Sequence, residues 1–231
     1  NPLIAYVAFT MFFNNIAWLT VFPYWQPQSA VQAVTVSLLF TALTAGLLAM
    51  ILAAAANTVA YALTSYMPTY LTTNKGYSEV EGTLLTIPVL VIMSLCIPLT
   101  GKLSDRIGRR PVLWIGAVST IVLAAPAFML IGIGSIWSTL AGLSLVAFPV
   151  TFYVANLASA LPAQFPTSSR YGAMGIAYNF SVAIFGGTTP FIVAALIGAT
   201  GNDMMPAYYL MGTSLAGAVA MKSDAHNAGF P

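Results

Sequence analysis

The chain has 231 residues, of which 59% are hydrophobic and only 5% charged. A soluble domain is about 25% charged; seven Lys and Arg with five Asp and Glu cannot cover a soluble globule of this length. The composition is that of an integral membrane protein, and it excludes a nucleic-acid binder, which needs a basic face. Cys96 is the single cysteine and lies in an apolar run, so an intrachain disulfide and a cysteine metal cluster are excluded. The single histidine, His226, lies near the C-terminus, and neither a metal site nor a cofactor is expected. No nucleophile–base pair or phosphate loop is visible, so an enzyme is not expected. The chain begins at Asn1 without a signal-peptide pattern, and the expectation is that processing or truncation removed the true start.

A helix needs about 20 apolar residues to cross a bilayer. Eight stretches qualify in chain order: 3–22, 31–51, 53–72, 83–100, 111–133, 137–161, 173–199 and 204–221. They are long and uniformly apolar, whereas strands of a membrane barrel would be short and alternating. The first fifty residues fit less well than the rest. No charge precedes Lys75, and the second and third stretches abut with no loop between them. A helical hairpin needs a few linking residues, so a polar loop is expected to be missing near residue 51.

The charges fall between the spans. Lys102, Asp105, Arg106, Arg109 and Arg110 form one cluster, which the positive-inside rule assigns to the cytoplasm. Alternation then places Arg170 and Lys222 inside, and Lys75, Glu79, Glu81 and Asp203 outside. Six spans from 53 to 221 give a consistent topology with both ends in the cytoplasm. The expected organisation is two apolar spans of uncertain origin over 1–51, a six-helix bundle over 52–222, and a cytoplasmic tail over 223–231.

The most informative segment is Gly101-Lys-Leu-Ser-Asp-Arg-Ile-Gly-Arg-Arg110. Read from its chemistry, it is a tight basic turn. Gly101 and Gly108 permit bends, Asp105 can accept from backbone N–H groups or pair with an arginine, and Arg106, Arg109 and Arg110 can hold lipid headgroups or the C-terminal end of a helix. Its residue order resembles the loop signature of the major facilitator superfamily, which occurs after the second and the eighth helices of that fold. The resemblance implies that Asp105, Arg106 and Arg110 belong to a charge network that latches one face of a transporter.

Leu161-Pro-Ala-Gln-Phe-Pro-Thr-Ser-Ser-Arg170 with Tyr171-Gly172 resembles the family's loop after the tenth helix. Ala163 stands where that loop usually carries an acid, which weakens any charge pair with Arg170. Ser65–Leu71, Phe185–Pro190 and Met204–Met211 resemble the metabolite:proton symporters, most closely the osmosensory proline/glycine-betaine transporters. The resemblance covers about 53–221. It implies an all-α membrane protein: a major facilitator-type helical bundle, of which this chain carries the C-terminal six-helix half plus about two further spans.

No Asp, Glu, Lys, Arg or His lies deep in any span, although such groups are the usual proton relays. The polar residues inside the spans are the candidates for a substrate cavity. Asn57, Tyr61 and Thr64 recur at i, i+4 and i+7 on one face of the third span. Tyr153 with Asn156, and Tyr178 with Asn179, offer similar patches. Amides and hydroxyls can hold a carboxylate, and aromatic faces a quaternary ammonium. The competing reading of each is helix–helix hydrogen bonding. Gly186, Gly187 and Pro190 suggest a bend of the kind transporters place near the midplane.

The expected function is proton-coupled symport of a compatible solute by alternating access, in a bacterial inner membrane with the C-terminus cytoplasmic. The expected partners are a small zwitterionic solute, a proton, the lipid bilayer, and a missing N-terminal half or partner subunit. Two alternatives stand beside this one: symport of a dicarboxylate or other metabolite, and a transport-inactive subunit or truncated remnant of a larger complex.

Overall fold

Inside a bilayer, backbone groups have only one another to bond to, so apolar runs of this length fold as helices. The computed structural model describes residues 30–163 and 170–227. Among these, helices α1 (Ala30–Tyr61), α2 (Met67–Lys75), α3 (Glu79–Ile107), α4 (Arg109–Gly132), α5 (Ile136–Ala163), α6 (Arg170–Ser181), α7 (Thr189–Thr200) and α8 (Met205–Asn227) follow in order. A π turn, Ala62–Tyr66, joins α1 to α2, and a second, Val182–Gly186, precedes α7.

The stretches 31–51 and 53–72 are one continuous structure, not two abutting spans. α1 passes through Met50–Ala55 as helix, and the rod continues through the first π turn to Lys75. The physical reason is composition: Gly46 and Asn57 are the only weak breakers near the junction, and the alanine-rich run between them is an excellent helix former. At 1.5 Å per residue this rod is about 69 Å long, more than twice the roughly 30 Å hydrocarbon thickness. The stretch 3–22 lies outside the described residues.

Five described stretches are long and apolar enough to cross a membrane: Gly46–Lys75, Glu79–Ile107, Arg109–Gly132, Ile136–Pro162 and Met174–Thr200. α8 covers the span expected at 204–221 but is less apolar than these, carrying Tyr208, Tyr209, Thr213 and Ser214.

The turns follow local chemistry. Ser78 and Glu81 form a capping box at the start of α3: Glu81 N donates to Ser78 Oγ at 3.3 Å, and Ser78 N donates to Glu81 Oε2 at 2.9 Å. Gly108 joins α3 to α4 at φ +91°, a value side-chain-bearing residues rarely adopt.

α1, α4, α5 and α8 form the packed centre: α5 lies on α4, and α1 and α4 both lie on α8. Every residue from Leu52 to Val59 is buried, as expected of a helix apolar on all sides. Small residues set the close approaches. A Cβ at Gly142 would lie 2.6 Å from the Ala127 carbonyl oxygen, and one at Gly217 would lie 2.7 Å from Ala55 Cβ. α3 and the Met174–Thr200 stretch are the least covered, each with 22% of its most apolar window buried, against 61% for Gly46–Lys75 and Ile136–Pro162.

Candidate functional site

Pro68 and Pro190 lack the N–H that an α-helix would use four residues back. In each case a π turn lies just before the proline, and such turns recur at functional sites. The bend expected at Gly186, Gly187 and Pro190 is therefore a π turn. Its counterpart at Ala62–Tyr66 was not anticipated, and proline alone does not signal it, since Pro88, Pro98 and Pro126 lie inside continuous α-helix.

The second π turn packs against α1. A Cβ at Gly186 would meet the Tyr61 ring at 3.0 Å and Asn57 Cβ at 3.5 Å, so the absent side chain lets the two segments approach without displacing the ring. Just before the turn, the fully buried Ser181 hydroxyl lies 2.9 Å from the Met50 carbonyl oxygen and 2.7 Å from that of Ala177. Just after it, the Thr188 and Thr189 hydroxyls donate to the Ile184 and Phe185 carbonyls. Ser181, Thr188 and Thr189 were not among the expected site residues; their signal was the run of hydroxyls flanking Gly186-Gly187.

Asn57 is buried, Tyr61 is half-buried and Thr64 is exposed. Asn57 Nδ2 donates to Ala53 O at 2.8 Å, and Thr64 Oγ1 to Ala60 O at 2.9 Å. Exposed Asn179 donates likewise to Gly175 O at 2.7 Å. These bonds to a carbonyl one turn back occupy donors and leave the side-chain amide oxygens open. Exposed Tyr178 and half-buried Tyr61 keep hydroxyls without protein partners among the described residues. The arrangement can therefore offer aromatic faces, hydroxyls and amide oxygens, with no charge.

Tyr153 and Asn156 lie elsewhere in the packing. Both are buried, and Asn156 Nδ2 donates to Phe152 O at 2.9 Å. The Tyr153 ring lies against Gly116 of α4, and its hydroxyl faces Thr120 and Ser214. That surrounding is helix–helix packing, not the Tyr61–Gly186 contact.

At the basic turn, Gly101 lies within α3, and Gly108 is the hinge. Arg109 Nη1 donates to Ser159 O near the end of α5, and Arg110 Nη2 to Met221 O near the end of α8, both at 3.0 Å. Ser159 lies four residues before the end of α5 and Met221 six before the end of α8, in the C-terminal parts of those helices, where cations are favoured. Asp105 and Arg106 are exposed and make no hydrogen bond or ion pair among the described residues. Arg170 opens α6, and the six residues before it lie outside the described set.

The opposite end carries a cluster that the sequence did not reveal. Lys75 Nζ lies 2.6 Å from Asp203 Oδ2, Asn74 Nδ2 donates to Asp203 Oδ1 at 3.2 Å, and Tyr70 Oη donates to Asp203 O at 2.9 Å. The Lys75 hydrogen bond, aided by its charge and by Asn74, holds the Asp203 carboxyl below its ordinary value against a smaller opposing effect of burial. Tyr77 Oη reaches Gly134 O at 3.1 Å and lies 2.9 Å from Thr139 Oγ1. The three turns at this end are thus tied together.

No solved structure matches this chain. A family model of the Major Facilitator Superfamily matches residues 3–190, so the likeness begins well before residue 53, where the sequence resemblance started. An ectoine/proline transporter of Corynebacterium glutamicum is 48% identical over 175 residues, covering 76% of this chain and 35% of the relative. A proline/betaine transporter of Escherichia coli strain K12 is 43% identical over 175 residues, covering 74% of this chain and 35% of that protein. A glycine betaine/proline/ectoine/pipecolic acid transporter of Dickeya dadantii is 42% identical over 163 residues, covering 71% and 32%. The chain spans about a third of the length of these curated relatives. With a family match over most of its residues and an all-helical fold of membrane-spanning length, the chain belongs to the Major Facilitator Superfamily.

Proposed function

We propose that this chain is the C-terminal part of a secondary transporter that carries a compatible solute, such as proline or glycine betaine, together with a proton by alternating access. The observation that carries the reading is the contact of Asn57 and Tyr61 with Gly186 between two helices that each hold a π turn. A zwitterion is matched by such a place: hydroxyls for the carboxylate, aromatic faces and amide oxygens for the ammonium. The identities to proline, betaine and ectoine transporters support the same substrate class.

On this reading residues 52–222 form the six-helix bundle and 223–231 a cytoplasmic tail, in a bacterial inner membrane. An N-terminal half lies against the uncovered side of α3 and the Met174–Thr200 stretch, and supplies the proton-binding acid. Gly101, Asp105, Arg106, Gly108, Arg109, Arg110 and Arg170 form the gate on the cytoplasmic side. Asn57, Tyr61, Thr64, Tyr178 and Asn179 contact solute, while Tyr153 and Asn156 shape the bundle behind them. The 69 Å rod supports the reading that a polar loop is absent near residue 51. Sequencing the gene across Met50–Ala55 tests that point, and an uninterrupted reading frame there would remove it.

Uptake of radiolabelled proline and betaine by the full-length gene product in proteoliposomes, with and without an inward proton gradient, tests the function. Gradient-driven uptake, reduced tenfold or more by Tyr61→Ala at equal protein level, is expected. Dicarboxylate uptake instead, or no uptake from a chain that copurifies with a partner, would overturn it.

A further inference from the structure

Two contacts fix how the Met174–Thr200 stretch lies on α1, and both lead to Tyr61. The first is the Ser181 hydroxyl, which lies 2.9 Å from the Met50 carbonyl oxygen across 131 residues of chain. Ser181 is 0% exposed. A serine inside a helix commonly donates to the carbonyl one turn back, and Ser181 has that partner in Ala177 O at 2.7 Å. The approach to Met50 is additional, and it joins two helices. A hydroxyl buried between these carbonyls has no water to turn to, so it holds the two segments in one register.

The second contact is Gly186, a few residues on, at the end of the π turn. Gly186 is buried, whereas Ile184 and Phe185 beside it are exposed. The register thus brings to Tyr61 the one residue of the turn that has no side chain. A Cβ there would lie 3.0 Å from both Cδ2 and Cε2 of Tyr61 and 3.5 Å from Asn57 Cβ. Helical side chains lean towards the N-terminus, so the Tyr61 ring folds back over Asn57, one turn earlier, and Gly186 meets both. A methyl group at Gly186 would displace the ring by a few tenths of an ångström. Thr188 and Thr189 steady the same turn by donating to the Ile184 and Phe185 carbonyls.

We propose that Ser181 and Gly186 are positioning residues for the Tyr61 ring. Ser181 sets the register of the two helices, and Gly186 leaves the volume in which the ring lies. On the reading that Tyr61 meets solute, the pair sets how far the ring stands out, and so which size of ammonium group it accepts. Both residues are buried, so each acts through the ring. A ring face attracts a cation only at close range. A ring pushed outward leaves less room for the trimethylammonium of betaine than for the secondary ammonium of proline.

Fluorine NMR of the full-length gene product in lipid nanodiscs, with a fluorotyrosine in place of Tyr61, reads the ring directly. Proline and betaine uptake in proteoliposomes reads selection. Gly186→Ala should move the fluorine resonance and raise the betaine-to-proline ratio of KM at least about threefold, with kcat unchanged, as one extra carbon in a site does. Ser181→Ala should broaden the resonance and raise both KM values, and Ser181→Cys, which keeps a weak donor, should restore both in part. Gly116→Ala, in the packing of α4 on α5, is the structural control and should leave both readouts where they are. A resonance that stays put in Gly186→Ala, a KM ratio that holds although the ring has moved, or an equal response to Gly116→Ala overturns the proposal. Should Gly186→Ala fail to fold, Ser181→Ala and Ser181→Cys carry the same test. If the natural protein takes up neither solute, the solute reading falls, and the resonance alone decides whether Ser181 and Gly186 position the ring.

Discussion

At the Lys75 end of the bundle, Lys75 and Asn74 converge on the Asp203 carboxylate, Tyr70 donates to the backbone carbonyl of the same residue, and nearby Tyr77 ties in the turn at Gly134. At the Arg110 end, the contacts run from arginine side chains to backbone carbonyls, at Ser159 and Met221, with no acid involved. The first end is closed by a partner specific in kind and position; the second uses backbone carbonyls, which any helix offers. A specific pair is lost when either residue changes. An arginine on a backbone carbonyl can shift to a neighbouring one, which suits the end expected to open and close.

Four substitutions test this contrast, the most damaging first. Gly142→Val places a branched side chain where the Ala127 carbonyl and Ile131 already sit, just inside the Lys75 end. It should cost about 1–3 kcal/mol of stability, seen as a lower Tm in detergent. Arg110→Met removes the charged donor to Met221 O at the other end. A loss of about 1–2 kcal/mol is expected, with faster amide hydrogen exchange confined to the last turns of α8. A loss spread evenly over the bundle would break the contrast.

Asp203→Asn should cost at most about 1 kcal/mol, because the pair is partly exposed and screened. Its pH dependence identifies the mechanism. The folded carboxyl lies below its ordinary value of 3.8, so its contribution is complete above about pH 4 and fades as pH falls through the folded value. Thermal melts of natural chain and variant should therefore converge in acid and diverge near neutrality. Asp105→Asn should change stability by less than about 0.5 kcal/mol, since this exposed side chain has no partner among the described residues. If the turn is a gate, uptake should fall while the melt stays put; a large shift in the melt would mean that Asp105 is structural.

How much of this was legible in the sequence depends on the range of the interaction. Hydropathy and charge placement located the described spans from residue 53 onward, and the Gly101–Arg110 order pointed to the superfamily. The fusion of 31–51 with 53–72 was not seen, because a span-length count divides any apolar run, whereas the chain itself offers no breaker there. The Lys75–Asp203 pair joins residues 128 apart, and only the packing of α2 against the α7–α8 turn brings them together. Grouping both on the same side of the membrane was as far as charge alternation could go. Periodicity put Asn57, Tyr61 and Thr64 on one face; Gly186 meets Asn57 and Tyr61, while Thr64 lies in the π turn and is exposed. That pattern could not say that Tyr153 turns towards α4 and α8, since period defines a helix face but not the neighbour it meets.

The paired π turns have one more consequence, and it concerns length. A π turn stores one residue more than the helix around it needs. If it were drawn out into regular α-helix, everything beyond it would turn by about 100° and advance by about 1.5 Å. On the first rod that would swing Tyr70 and Lys75 away from Asp203; on the second it would turn Phe191 and the rest of α7 relative to Tyr61. Each bulge is a measured allowance of slack, placed where the two rods touch, so rotation can be taken up inside the bundle without breaking the chain's backbone pairing.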